Sequence, residues 1–144
     1  MLRLTKKTDY GVVALVYLCT HRERIVSARE IAERSGIPLP ILSNILKALS
    51  RQGLVRSVRG TNGGYQLVQT PERIRLTQVI EALEGPFRLA DCICREAVHD
   101  ACGCQILLSC PISRPLIQVH KKVEDLLNSV TIASLAAAVP AITE

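Results

Sequence analysis

The sequence predicts a mainly α fold with one small β-hairpin, and three observations predict it. Apolar residues recur at spacings of three and four in four separate stretches, the signature of helices with one buried face. A single stretch, near residues 54–68, alternates apolar and polar residues instead, as half-buried strands do. Capping and breaking residues (Ser27, Gly36, Pro38, Pro40, Pro71, Gly85, Pro86 and Pro140) fall between those stretches. The 144 residues suit one compact domain with an extension. Four aromatic residues, Tyr10, Tyr17, Tyr65 and Phe87, are too few to fill a core, so the core must be aliphatic.

A first helix is expected from Lys6 to Cys19, with Thr5 at its N-cap. Tyr10, Val13, Ala14, Tyr17 and Leu18 form its apolar stripe. Lys6 and Lys7 stand at its start, where the helix dipole disfavours cations. A nearby phosphate would offset that cost; plain solvation of the two lysines is the simpler alternative. Ser27-Ala28-Arg29-Glu30 is a capping box that opens a short second helix through Ser35, with Gly36 as its left-handed stop. Ile37-Pro38-Leu39-Pro40 turns the chain into a third helix, Pro40 to Gln52. Ile41, Leu42, Ile45, Leu46 and Leu49 mark its buried face. Ser43, Asn44, Lys47, Ser50 and Arg51 mark the polar, cationic one. Two short helices joined by a tight glycine turn make a helix-turn-helix, a shape that also occurs without any nucleic-acid role.

Leu54 to Val58 and Tyr65 to Val68 are the two strands of the hairpin. Between them runs Arg59-Gly60-Thr61-Asn62-Gly63-Gly64. A hairpin directly after the outer helix of such a pair is the wing of a winged helix-turn-helix. Arg59 and bare glycine backbone at its tip suit a narrow groove or phosphates. A nucleotide-binding glycine loop is a poor fit, because no Gly-Lys-Ser/Thr and no nucleotide-type helix follow. Leu76, Val79, Ile80 and Leu83 then mark a helix closed by Gly85-Pro86 and expected to pack under the wing. Leu116, Val119, His120, Val123, Leu126, Leu127 and Val130 mark a helix from Ser113 to Ser129, roughly 25 Å long. The chain has too little left to cover that stripe. A second copy is the simplest cover, which makes this a dimerisation helix; packing on the first helix is the alternative. Thr131 caps a last short helix, Ile132 to Val139. The expected organisation is a winged-helix DNA-binding domain over 1–86, a cysteine-rich loop over 87–111, and the dimerisation and C-terminal helices over 112–144.

Charge divides the chain in the same place. Residues 1–75 carry 13 Lys/Arg against 5 Asp/Glu, and residues 76–144 carry 5 against 8. A polyanionic partner is expected for the first half alone; a solvated basic surface is the competing explanation. No run approaches the ~18 apolar residues of a membrane span. Asp9 and the poor cleavage site Thr20-His21-Arg22 argue against a signal peptide, so a cytoplasmic protein is expected.

Five of the six cysteines, Cys92, Cys94, Cys102, Cys104 and Cys110, lie within twenty residues. In a cytoplasmic chain such clustering favours metal or redox chemistry over structural disulfides. Thiolates suit an iron–sulfur cluster, and they suit zinc equally. Two Cys-x-Cys pairs can hold zinc and leave Cys110 spare. Reversible disulfide formation is a third use. Cys19, on the stripe of the first helix, is expected to be an inert core thiol. His21 and His120 are expected to be packing or surface residues. No Ser/His/Asp grouping or carboxylate pair stands at telling spacing, so the chain is not expected to be an enzyme.

Three stretches carry a family resemblance: Met1-Leu2-Arg3-Leu4-Thr5-Lys6-Lys7-Thr8-Asp9-Tyr10-Gly11, Val58-Arg59-Gly60-Thr61-Asn62-Gly63-Gly64-Tyr65, and Val79-Ile80-Glu81-Ala82-Leu83-Glu84-Gly85-Pro86. Together they resemble the IscR/NsrR/RirA family of bacterial transcription regulators across essentially the whole chain. The opening residues and the Cys-Pro after the loop most resemble the branch that regulates SUF iron–sulfur assembly genes. The resemblance implies a homodimeric winged-helix regulator on a palindromic double-stranded operator; a basic helix-turn-helix and wing joined to a thiolate loop leads to the expectation of a repressor. It also implies an iron–sulfur cluster, of two-iron or four-iron type, whose state alters DNA affinity. Carried over by position, Ser43, Asn44 and Lys47, with Arg51 on the same face, belong to the recognition helix. Arg59, with Gly60, belongs to the wing.

The family's last two cluster cysteines match Cys104 and Cys110, and its first aligns with Cys92. Cys94 and Cys102 are additional, and the interval from Cys92 to Cys104 is long. Ser113 stands where some members have a histidine. The fourth ligand is therefore open among Cys94, Cys102, His99 and Asp9 of a partner subunit. Two functions of other classes remain as alternatives: a zinc- or thiol-based redox sensor, and an electron-transfer module that docks an acidic protein.

Overall fold

A computed structural model describes residues 4–90, 93, 105–106 and 109–140. The elements run α1 (Lys6–Thr20), α2 (Ala28–Ser35), α3 (Leu39–Arg51), β1 (Val55–Val58), β2 (Gly64–Leu67), α4 (Leu76–Glu84), α5 (Ser113–Ser129) and α6 (Ile132–Ala138). Every expected helix and both strands are present, with ends shifted by a residue or two. The core is aliphatic: Leu15, Leu18, Ile31, Leu42, Leu46, Leu49, Ile74, Val79 and Ile132 are all buried. Such a core is held by the apolar area that it removes from water.

The first helix is the centre of the packing. It contacts α3, α4 and α6, and Ala14, Leu15, Val16, Tyr17 and Leu18 are buried along it. Val13, expected in its stripe, is exposed instead. Gly11, Ala14, Leu15 and Leu18 face the neighbouring helices, and Val13 lies outside that face. Gly11 is small for a reason: a Cβ there would collide with Leu83 of α4.

Ser27 caps α2 by accepting from the Glu30 backbone N–H at 3.1 Å. The second half of the expected capping box is spent elsewhere. The Glu30 carboxylate accepts from the Tyr17 hydroxyl at 2.9 Å and pairs with Arg24. Gly36, at φ 70°, ends α2 in the left-handed conformation as expected. Leu42, Ile45, Leu46 and Leu49 of α3 face the core, whereas Ile41 is 45% exposed.

The hairpin pairs Val55 with Leu67 and Val58 with Gly64 in antiparallel register. It is fastened to the chain before α2 by reciprocal hydrogen bonds between Val26 and Tyr65, at 3.0 and 2.7 Å. Gly64 permits that contact, because a Cβ there would strike the Val26 carbonyl. At the tip, Gly60 adopts φ 124°, a conformation that side-chain-bearing residues avoid.

The fourth helix does not pack under the wing. Its neighbours are α1, α3 and α5, because its apolar face, Leu76, Val79, Ile80 and Leu83, meets helices that the short hairpin cannot replace. None of the residues of α5 is buried. Its principal neighbour is α4, tied through the Thr77 hydroxyl to Asn128. The contact on α1 belongs to α6, whose N-cap Thr131 accepts from the Ser134 backbone N–H. Backbone bonds from Leu76 to Val130 and from Ile132 to Ile74 hold that junction to the core.

Candidate nucleic-acid interface and cysteine segment

The geometry of α3 follows from its amphipathicity. Its buried face fixes the helix against α1, α2 and α4. The opposite face then projects Asn44, Lys47 and Arg51 into solvent, with Ser43 half-buried at its flank. Arg59 and Gly60 are exposed at the hairpin tip, and α3 packs on β1, which carries that tip. The polar residues expected to bind DNA thus stand on two adjoining elements of one rigid core. Beside them, the Arg56 guanidinium donates to Gln66 Oε1 at 2.7 Å, and the Gln66 amide donates to the Arg22 carbonyl at 3.3 Å. These bonds stiffen the strands behind the tip.

Two features of the interface escaped the sequence reading. Ile41 occupies the first turns of α3 on the solvent side. Its apolar character assigned it to the core, but it lies outside the buried face made by Leu42, Ile45, Leu46 and Leu49. The lysines at the start of α1 are the second. Lys7 Nζ donates to the Leu83 carbonyl at 2.6 Å. Its cation therefore answers the carbonyl end of α4, where positive charge is favoured, and no phosphate is needed to explain it. The Thr5 hydroxyl, expected to cap α1, donates instead to Glu84.

Glu84 gathers the two helix ends. It accepts from the Thr5 backbone N–H at 3.3 Å and from the hydroxyls of Thr5 and Thr8. Burial works to raise the pKa of its carboxyl, but these bonds together with nearby Lys7 outweigh burial, and the net shift is downward. Asp9 is exposed on the same turn of α1. One residue past Glu84 the chain leaves α4 toward the cysteine segment.

Of the expected ligands, Cys92, Cys94, His99, Cys102 and Cys104 lie outside the described residues. Cys110 is a half-buried free thiol just before α5, and its carbonyl accepts from the Ser113 hydroxyl at 3.0 Å. Phe87, on the other side of the segment, stacks on His120 of α5 with ring centroids 5.3 Å apart. His120 is thus a packing residue, and its Nδ1 is buried without a hydrogen-bond partner among the described residues. Cys19 is also a free thiol, and burial pushes its pKa up, as suits an inert core cysteine.

No described helix is long and apolar enough to cross a membrane. The family model described as "Iron-dependent Transcriptional regulator", Rrf2, matches residues 4–138. An IscR transcriptional regulator of Erwinia tasmaniensis is 33% identical over 135 residues, which cover 93% of this chain and 78% of that protein. Among the similar solved structures, two share the fold over nearly all of this chain. CymR, the global cysteine regulator of B. subtilis, superposes with a TM-score of 0.77 at 29% identity, covering 97% of this chain and 100% of that one. IscR of T. potens superposes with a TM-score of 0.71 at 31% identity, covering 95% and 88%. The relatives are regulators of transcription rather than enzymes, and the hairpin beside α3 is the wing that their architecture requires. This chain belongs to the Rrf2 family of transcriptional regulators.

Proposed function

We propose that the protein is a cytoplasmic, homodimeric repressor whose affinity for operator DNA is set by an iron–sulfur cluster in residues 87–111. The observation that carries the DNA half is the continuity of α3 and the hairpin tip. Ser43 and Asn44 meet the major groove, Lys47 and Arg51 its flanking phosphates, while Arg59 and Gly60 reach the adjacent backbone or minor groove. The basic balance of residues 1–75 supplies the sequence-independent attraction. The exposed stripe of α5 is covered by a second copy, which sets the spacing of two α3 helices one duplex turn apart.

The donor set fits the cofactor. Thiolates are the ligands that such clusters take, and Cys110 is free and half-buried at the edge of the segment. Cys92, Cys104 and Cys110 hold the cluster, with the fourth position filled from Cys94, Cys102, His99 or the Asp9 carboxylate of a second copy. When bound, a cluster supplies a group that is sensitive to iron supply and oxidants. The residues of the chain do the rest. Cys110 joins the segment to α5, and the Glu84 contacts join its other end to α1. A change in the segment therefore bears on α1, which packs on α3, and on α5, which packs on α4, itself a neighbour of α3. Genes of iron–sulfur assembly are the fitting targets, in line with the resemblance to the SUF regulators.

A second reading is favoured by one specific observation. The likeness to a cysteine regulator, with the additional Cys94 and Cys102, suits reversible thiol oxidation without metal. Anaerobic purification followed by iron, sulfide, zinc and thiol assays, and then footprinting of each form, separates these readings. Iron with sulfide and protection of a palindromic site is the expected result. Zinc without sulfide would replace the cluster, and a metal-free, oxidisable protein would favour the thiol switch. Protection of no particular duplex by any form would remove the DNA claim.

A further inference from the structure

The exposed face of α3 is not uniformly polar. Pro38, Pro40 and Ile41 are all exposed at its N-terminal end, ahead of Asn44, Lys47 and Arg51. Ile41 is the one large apolar side chain that this helix leaves in water, and it belongs neither to the core cluster nor to the residues packed against it. An isolated exposed isoleucine needs no explanation in general. This one sits on the end of the helix that enters the major groove in helix-turn-helix docking, three residues from an amide and six from a cation. The only apolar feature on the floor of that groove is the thymine C5-methyl group. We propose that Ile41 is a specificity residue that packs on a thymine methyl in the operator, with the flanking prolines excluding water from the contact.

This inference rests on the proposed DNA-binding role of α3. It assigns the division of labour along the helix. Asn44 takes hydrogen bonds from base edges, Lys47 and Arg51 engage phosphates, and Ile41 distinguishes thymine from cytosine by shape alone. Burying one methyl on an apolar side chain strengthens binding about four-fold.

The test starts from operator sequences selected out of random duplexes by the full-length protein. Each thymine in the selected site is then replaced by deoxyuridine, which removes the methyl and leaves every hydrogen bond intact. The parent should lose about four-fold at one thymine per half-site. Ile41→Ala should be weaker on the thymine duplex and indifferent to the deoxyuridine exchange at that position. Its thermal unfolding should match the parent, because Ile41 is outside the core and alanine is a good helix former. Selection of a specific site with equal deoxyuridine sensitivity in parent and variant would overturn the Ile41 assignment while leaving α3 as the reader. Failure to select any sequence would overturn both.

Discussion

Thr8 and Glu84 are joined by a hydrogen bond that spans 76 residues of sequence and links the first turn of α1 to the last residue of α4. Thr8 is completely buried, so its hydroxyl has no water to turn to. Thr8→Val keeps the volume and deletes the donor. The variant is expected to lose about 1–3 kcal/mol of unfolding free energy in urea titration. An unchanged midpoint would mean that the contact holds nothing.

The Glu30 cluster predicts how stability depends on pH. The hydrogen bonds from Arg24 lower the Glu30 pKa to about 2 against the opposing effect of burial, with help from the Tyr17 hydroxyl. A carboxylate whose folded pKa is depressed adds stability above its unfolded pKa and loses it as pH falls through the folded one. The contribution is therefore whole above the usual carboxylate value of 4.5 and is lost as pH falls through about 2. Glu30→Gln should cost about 1 kcal/mol at neutral pH, since the pair is partly exposed. It should also flatten the acid limb of a stability curve measured from pH 5 to 2. Parallel curves for parent and variant would contradict the assignment.

Charge on α3 and on the hairpin should act differently in DNA binding. Lys47→Ala should weaken binding to all duplexes and reduce the salt-dependence slope by about one. Arg59→Ala should cost about 1–3 kcal/mol on the operator and relax preference at the bases it meets. Fluorescence anisotropy across a salt series on operator and scrambled duplexes distinguishes the two. Identical losses on both duplexes for Arg59→Ala would remove its role in specificity.

The apolar stripe of α5 predicts the oligomeric state. Leu126 is 65% exposed in one copy and Val119, one heptad earlier, is 47% exposed, an apolar edge of the stripe that a second copy would cover. Leu126→Glu should shift the protein from dimer to monomer in sedimentation velocity while the far-ultraviolet spectrum stays helical. A variant that sediments like the parent would place the dimer contact elsewhere.

Most of the fold was legible because helix and hairpin signals are local. The stripe of α4, the Ser27 cap and the Gly36 stop depend on neighbours within a few residues. The failures share one cause. Ile41 and Val13 have core-type side chains, yet each stands outside the face of its helix that neighbouring elements cover. Glu30 satisfies a capping pattern, but Tyr17 and Arg24 compete for its carboxylate. For Lys7 the sequence offered solvation or a nearby phosphate, and neither is its partner, because the Leu83 carbonyl lies 76 residues away. The recognition face was legible as a polar stripe. Its apolar tip was not, since periodicity cannot separate an isoleucine inside the core from one just beyond it.

The central claim is that the cysteine segment controls the DNA-binding face, and one comparison tests it most directly. Operator affinity is measured for the anaerobically purified parent, for the same protein after chelation and mild oxidation, and for Cys104→Ala/Cys110→Ala. A change of at least ten-fold between loaded and stripped parent is predicted, with the double variant fixed at the stripped value. Equal affinity for all three, on an operator that all three recognise, would contradict it.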